Sequence, residues 1–256
     1  AGISSFGYSG TIAHIIIEGV KLNHNEINSN NNKTIKYIPN TVWQFAGQGT
    51  LKLQIGEEFF KNEQVFRDNL LSCGEVIKEL LEINIIDVLY PNNSEGRMNP
   101  ETAETILKQT KYGQSILVSL EYSISQLWVS RGLFPTYMIG HSLGEYVIAM
   151  LNGVLSVRDG IKLVCERGKL MQSNEKCRGS MIAVRGSAED VNKAIATANV
   201  KSTVSLGSIN GSNSVVISGN SSDIQKVLSL CPNMMSKALA VSSGFHSPIM
   251  NCMTDN

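Results

Sequence analysis

The pattern of apolar and polar positions divides the chain into two textures. Thr41 to Phe45 (TVWQF) reads as a strand that ends on a loop of small residues, AGQG. Helical spacing runs from about Glu57 to Leu81 and again from about Tyr112 to Arg131. In the second run Ile116, Leu117, Leu120, Ile124, Leu127 and Trp128 fall on one apolar stripe. A short strand, YMIG, leads into HSLGE and the helix EYVIAML, and a further helix covers about Val157 to Gln172. From Ser180 the elements change. MIAVRG, a helix over about Ala188 to Ala198, STVSLGSI, NSVVISG, a helix from about Ser222 to Leu230, and KALAV spell βαββαβ, the pattern of a small ferredoxin-like module.

Ahead of these elements, SSFGYSGTIAHIIIE predicts a glycine-punctuated loop that runs into a short strand. Asn23 to Lys33 (NHNEINSNNNK) is nearly free of apolar residues and cannot bury enough surface to offset its ordering entropy, so a flexible linker is expected. The expectation is an α/β chain carrying an inserted small subdomain at about 180–241, with both ends cut from something longer.

Composition narrows the function classes. The 256 residues carry 22 basic and 22 acidic side chains, so no net charge points to nucleic acid or a membrane surface. Cys73, Cys165, Cys177, Cys231 and Cys252 are odd in number and lack a CxxC spacing. Neither a disulfide framework nor a zinc site is suggested, and a reducing cytoplasm is expected. The longest apolar runs fall far short of a membrane span. Only His14, His24, His141 and His246 could supply an imidazole base.

Gly140 to Glu145 (GHSLGE) has the form GxSxG between a predicted strand and a predicted helix. A sharp strand-to-helix turn strains the serine and needs glycine two residues to either side to avoid clashes. Ser142 would then meet partly positive helix N-terminal amides, which stabilise developing negative charge. A serine hydroxyl needs a base. His14 and His24 lie in the tail and linker, and His141 diverges from its chain neighbour on a tight turn, which leaves His246 in SGFHSP. The AGQG loop suits an oxyanion hole made by the amides of Gln48 and Leu143.

Arg167 has Leu163, Val164, Leu170 and Met171 at the positions three and four residues away, so the pattern places its guanidinium on a buried stripe. An arginine there needs an anion, and its planar fork suits a carboxylate. The pattern leaves two readings open: a clamp for a substrate carboxylate, or a structural arginine that forms an internal ion pair with Asp or Glu or snorkels to the edge.

FAGQG, Thr110 to Gln114 (TKYGQ), GHSLGE, RGKLM around Arg167, GSMIAV, SINGSNSVVISG and GFHSP occur in this order from about Thr41 to Met250. Together they closely resemble the malonyl-CoA:acyl carrier protein transacylase family, including the acyltransferase domains of polyketide synthases. The resemblance implies an α/β-hydrolase-like large subdomain over 41–256, incomplete at its C-terminal end, with the ferredoxin-like insert. It also implies Ser142 as acylated nucleophile, His246 as its base, Gln48 and Leu143 as oxyanion amides, and Arg167 as the partner of a malonyl carboxylate. Gln114, Phe245 and Asn210 match substrate-pocket positions. In such enzymes a carbonyl downstream of the histidine orients it, and that segment lies beyond Asn256. Phe245 beside the base and Leu143 after the nucleophile imply malonyl over methylmalonyl.

The opening residues, 1–18, look like the C-terminal tail of a ketosynthase, with Ile12 where that family usually has asparagine, and 19–40 would then be the linker. The implied reaction moves malonyl from malonyl-CoA through Ser142 to the phosphopantetheine thiol of an acyl carrier protein, within a larger synthase and with no metal or bound cofactor. The alternatives are a GxSxG serine hydrolase or thioesterase, with Asp223 as a possible third member, or an inactive fragment.

Overall fold

The computed structural model describes residues 2–6, 12–17, 41–91 and 98–253. The linker expected over 19–40 lies outside these. In chain order the elements are β1 (Gly2–Phe6), β2 (Ile12–Ile17), β3 (Thr41–Phe45), α1 (Glu57–Asn62), α2 (Gln64–Leu81), α3 (Ile85–Leu89), α4 (Pro100–Lys108) and α5 (Thr110–Ser130). They continue with β4 (Tyr137–Gly140), α6 (Gly144–Leu151), α7 (Val157–Ser173), β5 (Ser180–Val184), α8 (Ala188–Thr197), β6 (Val204–Gly211), β7 (Ser214–Gly219), α9 (Ser221–Ser229) and β8 (Ser236–Ala238). The chain forms two compact units, Ala1–Lys108 with Tyr112–Cys165, and Gln109–Lys111 with Glu166–Asn256.

In the first unit a four-stranded sheet runs in the order β1-β2-β3-β4. β3 and β4 are parallel, with Phe45 opposite Gly140, so both strands deliver their following loops to the same sheet end. β2 pairs antiparallel with β3 through Ile16↔Val42 and Ile17↔Thr41. Ser4–Phe6, expected as part of a loop, belongs instead to the strand Gly2–Phe6, paired with β2. Pairing satisfies backbone groups that an isolated glycine-containing segment would leave to water, and it overrides the weak local propensity.

The long helix expected from Glu57 to Leu81 is two helices. Glu63 is extended at φ −116°, ψ 103°, and its N–H closes α1 on the Phe59 carbonyl at 2.8 Å. Its carboxylate is paired with Arg131, a long-range contact that no local pattern shows. α3 and α4 were not read from the sequence. Asn84 caps α3 by accepting from the Ile86 N–H at 3.0 Å, and Ile85, Val88 and Leu89 are buried.

α5 is the central helix of this unit. Ile116, Leu117, Leu120 and Leu127 are buried as the stripe predicts, but Trp128 is more than a third exposed, with Arg131 stacked over its ring. The helix is buried on another face too, because small serines allow close approach. Ser119 Oγ donates to the Ser115 carbonyl at 2.8 Å and Ser123 Oγ to the Ser119 carbonyl at 2.7 Å. Each buried hydroxyl is thus satisfied by its own helix.

The second unit contains the βαββαβ module as read. Its sheet order is β6-β7-β5-β8, with every neighbouring pair antiparallel. Ile182, Val184, Val215 and Ile217 on the strands bury against Val191, Ile195, Ile224 and Val227 of α8 and α9. The helix starts were legible. Ser187 accepts from the Asp190 N–H at 3.1 Å, and Asn220 accepts from the Ser222 and Asp223 N–H groups at 3.0 and 3.3 Å.

Candidate active site

Ser142 sits on the turn between β4 and α6 at φ 55°, in the left-handed region that a non-glycine residue enters only when its surroundings hold it there. The turn is closed by three bonds: Gly144 N–H to the His141 carbonyl at 3.1 Å, Glu145 N–H to that of Ser142 at 3.1 Å, and Tyr146 N–H to that of Leu143 at 3.0 Å. Both glycines of GxSxG are required by space. A Cβ on Gly140 would lie 2.5 Å from the Glu145 nitrogen, and one on Gly144 would lie 2.6 Å from both Cβ and O of Phe45. Leu143 is buried and anchors the turn in the core.

The AGQG loop leaves the end of β3 beside this turn. The Phe45 carbonyl accepts from the His141 N–H at 2.9 Å. A Cβ on Gly47 would meet His141 Cδ2 at 2.8 Å and Ser142 Cβ at 3.5 Å, so only glycine lets the loop lie this close. Gln48 follows directly, and Gln114 from α5 donates through Nε2 to Gln48 Oε1 at 3.1 Å. Gln114 is fully buried. Ser142, Leu143, Gln48 and Gln114 are therefore gathered in the first unit.

The other four singled-out residues belong to the second unit. His246 is exposed and, like Ser142, left-handed, at φ 60°. Ser205 on β6 donates to the His246 carbonyl at 2.9 Å, and buried Ser218 on β7 donates to the Phe245 carbonyl. Phe245 itself is buried. These serines went unnoticed in the sequence, because their role is a cross-strand one that no spacing reveals. Asn210 lies at the exposed end of β6, five residues beyond Ser205, or roughly 16 Å at ~3.3 Å per residue. It accepts from Ser208 Oγ.

Arg167 departs from its predicted surroundings. Val164 and Met171 are buried, but Leu163 and Leu170 are 46% and 37% exposed, and Arg167 is only half-buried. The helix turns its stripe away from part of the Leu163–Leu170 edge, so the arginine stands at a boundary rather than inside the core. Asp223, the possible third member of a hydrolase triad, is engaged elsewhere. It accepts from Thr203 Oγ1 at 2.6 Å and pairs with Lys226 at 2.6 Å, and these partners hold its carboxyl below the ordinary range.

One residue that the sequence reading passed over belongs with the loop. Glu121 on α5 accepts from the Ala46 N–H at 2.7 Å, while its second oxygen is buried without a partner among the described residues. Burial pushes its carboxyl up to about 8, against the smaller lowering effect of the Ala46 N–H. The signal that drew attention to Arg167 was present here also. Glu121 has Leu117, Val118 and Ile124 at helical spacing.

A strained serine on a strand-turn-helix, with a glycine loop held against it, defines a nucleophile-elbow protein. Residues 42–256 match the acyl transferase domain family, and the chain belongs to that family. It is 32% identical over 241 residues to a PKS-NRPS hybrid synthetase from Aspergillus niger, covering 93% of this chain and 12% of the synthetase. The acyl transferase domain of ZmaA superposes with a TM-score of 0.72 at 28% identity, over 84% of this chain and 49% of that one. The malonyl CoA-acyl carrier protein transacylase of Clostridium perfringens gives 0.71 at 26% identity, over 84% of this chain and 65% of that one. The chain thus spans a small part of the synthetase and about half of the ZmaA chain. Among the described residues no group of side chains could hold a metal ion, and no helix is long and apolar enough to cross a membrane.

Proposed function

We propose that the chain transfers a malonyl unit from malonyl-CoA to the phosphopantetheine thiol of an acyl carrier protein, as the acyltransferase of a polyketide or fatty-acid synthase. The observation that carries this reading is the left-handed Ser142, held between glycines and against the AGQG loop. Ser142 Oγ gives its proton to His246 and attacks the thioester carbonyl. The N–H groups of Gln48 and Leu143 receive the tetrahedral oxyanion. Collapse breaks the C–S bond, and the imidazolium returns the proton to the coenzyme A thiolate. In the second half-reaction the carrier thiol is deprotonated by His246 and attacks the Ser142 ester, which restores the hydroxyl.

Arg167 pairs with the free carboxylate of the malonyl group, Gln114 and Asn210 contribute polar contacts to substrate, and Phe245 leaves little room for an α-methyl group. Residues 1–18 are read as the end of a preceding ketosynthase, 19–40 as a linker, and 41–256 as the acyltransferase domain, with 180–241 its small subdomain. Other domains of a synthase are the expected partners, in the cytoplasm, and no metal or bound cofactor takes part. The test is mass spectrometry of the Ser142 peptide after incubation with malonyl-CoA. A mass gain of one malonyl group that disappears in Ser142→Ala supports the reading. A gain that persists in Ser142→Ala overturns it.

A further inference from the structure

We infer that Glu121 is a positioning residue that fixes the oxyanion loop by accepting the Ala46 N–H from beneath. This inference rests on the reading of Ser142 and Gln48 given above. Ala46 is the first residue past β3, and Gln48 is two residues further on. Between them Gly47 fits closely against His141 and Ser142. The loop is therefore held at Gly47 by van der Waals contact with the nucleophile turn, at the Gln48 side chain by Gln114, and at the Ala46 main chain by the Glu121 carboxyl at 2.7 Å. β3 cannot supply that bond. Phe45 turns its carbonyl toward β4, where it accepts from the His141 N–H, so the N–H of the next residue, Ala46, faces away from β4, and on that side the pairing with β2 covers only Thr41 and Val42.

A carboxyl is a costly way to meet one amide. Its other oxygen is buried without a partner among the described residues, in a helix whose Ser119, Ser123 and Ser125 hydroxyls are satisfied locally. A serine hydroxyl on α5 is shorter by two bonds, since glutamate adds one methylene and the carboxyl carbon before its acceptor oxygen. Oxyanion stabilisation depends on donors that are already in place before charge develops. Gln48 meets that requirement only if the loop leading to it is fixed.

Three variants in the full chain test this. Glu121→Gln keeps an acceptor of the same reach, Glu121→Leu keeps the volume without an acceptor, and Glu121→Asn keeps an acceptor but withdraws it by one methylene. Single-turnover acylation of Ser142 by malonyl-CoA should be near wild type in Glu121→Gln. It should fall about tenfold or more in Glu121→Leu and Glu121→Asn, short of the roughly 10²–10³-fold that follows outright removal of an oxyanion donor. The substrate concentration at half-maximal rate should hardly move. Amide hydrogen exchange gives a readout apart from activity: Ala46 should exchange faster in Glu121→Leu and Glu121→Asn while Trp43 in β3 stays protected. If Glu121→Leu does not fold, Glu121→Asn carries both measurements. Wild-type rates and unchanged Ala46 exchange would overturn the inference and leave the Ser142 reading intact. Absence of acylation in the wild-type protein would overturn both.

Discussion

Ser205 Oγ donates to the main-chain carbonyl of His246 at 2.9 Å, from a strand of the small sheet to a residue whose φ is 60°. One residue earlier, buried Ser218 on the adjacent strand holds the Phe245 carbonyl. Two serines from β6 and β7 thus fix the backbone that presents the imidazole. A left-handed residue costs on the order of 1–2 kcal/mol, which such bonds offset.

Ser218→Ala should accordingly lower stability by about 1–3 kcal/mol, because it leaves a buried carbonyl unsatisfied. Ser205→Ala, at a half-buried site, should cost less stability but still slow acylation, since His246 gains freedom. Thermal unfolding and acylation rates of the two variants check this. Full activity in the double variant would show that the serines do not position the base.

Gly144→Ala places a methyl group 2.6 Å from the Phe45 Cβ and carbonyl oxygen, where backbone and not a flexible side chain must yield. The expected outcome is loss of folding or a penalty above the ~1–3 kcal/mol of ordinary overpacking. Gly132 offers the control. It has φ 78° but nothing within 4 Å of an added Cβ, so Gly132→Ala should cost only about 1–2 kcal/mol of backbone strain. Denaturant unfolding of both separates steric from conformational cost, and equal penalties would contradict the close contact.

Stability should fall with rising pH through a window set by Glu121. Its carboxyl is raised from 4.5 to about 8, by burial first and against the smaller effect of the Ala46 N–H. Between those values the folded protein holds a proton that the unfolded chain has released. The contribution is therefore complete below pH 4.5 and is lost as pH rises through 8. Glu121→Gln cannot titrate, so its melting temperature should vary less across this window than that of wild type. Parallel curves would show that Glu121 ionises normally.

Arg167→Ala should reduce malonyl loading by roughly 2–5 kcal/mol of transition-state binding, because a substrate carboxylate loses its partner. Acetyl loading has no carboxylate to lose and should change far less, so discrimination between the two CoA esters narrows. Competition assays with both esters decide it. Equal losses would assign Arg167 a structural part only.

Much of this arrangement was legible because the constraint is local. GxSxG is written into the sequence by steric exclusion at Gly140 and Gly144, and the small module by strand and helix periodicities with serine and asparagine caps at Ser187 and Asn220. The family motifs then ordered these pieces into an acyl transferase domain.

What the tertiary structure alone decided are contacts between segments distant in sequence. The break at Glu63 goes with a pairing to Arg131, 68 residues away, and the grip on Ala46 comes from Glu121, 75 residues away. The half-exposed setting of Arg167 is of the same kind. Its helix has the spacing of a buried stripe, but packing leaves Leu163 and Leu170 partly in water. Periodicity states which residues share a face of a helix. Which face is covered, and which carbonyl or amide a distant side chain reaches, depends on the packing of the whole fold.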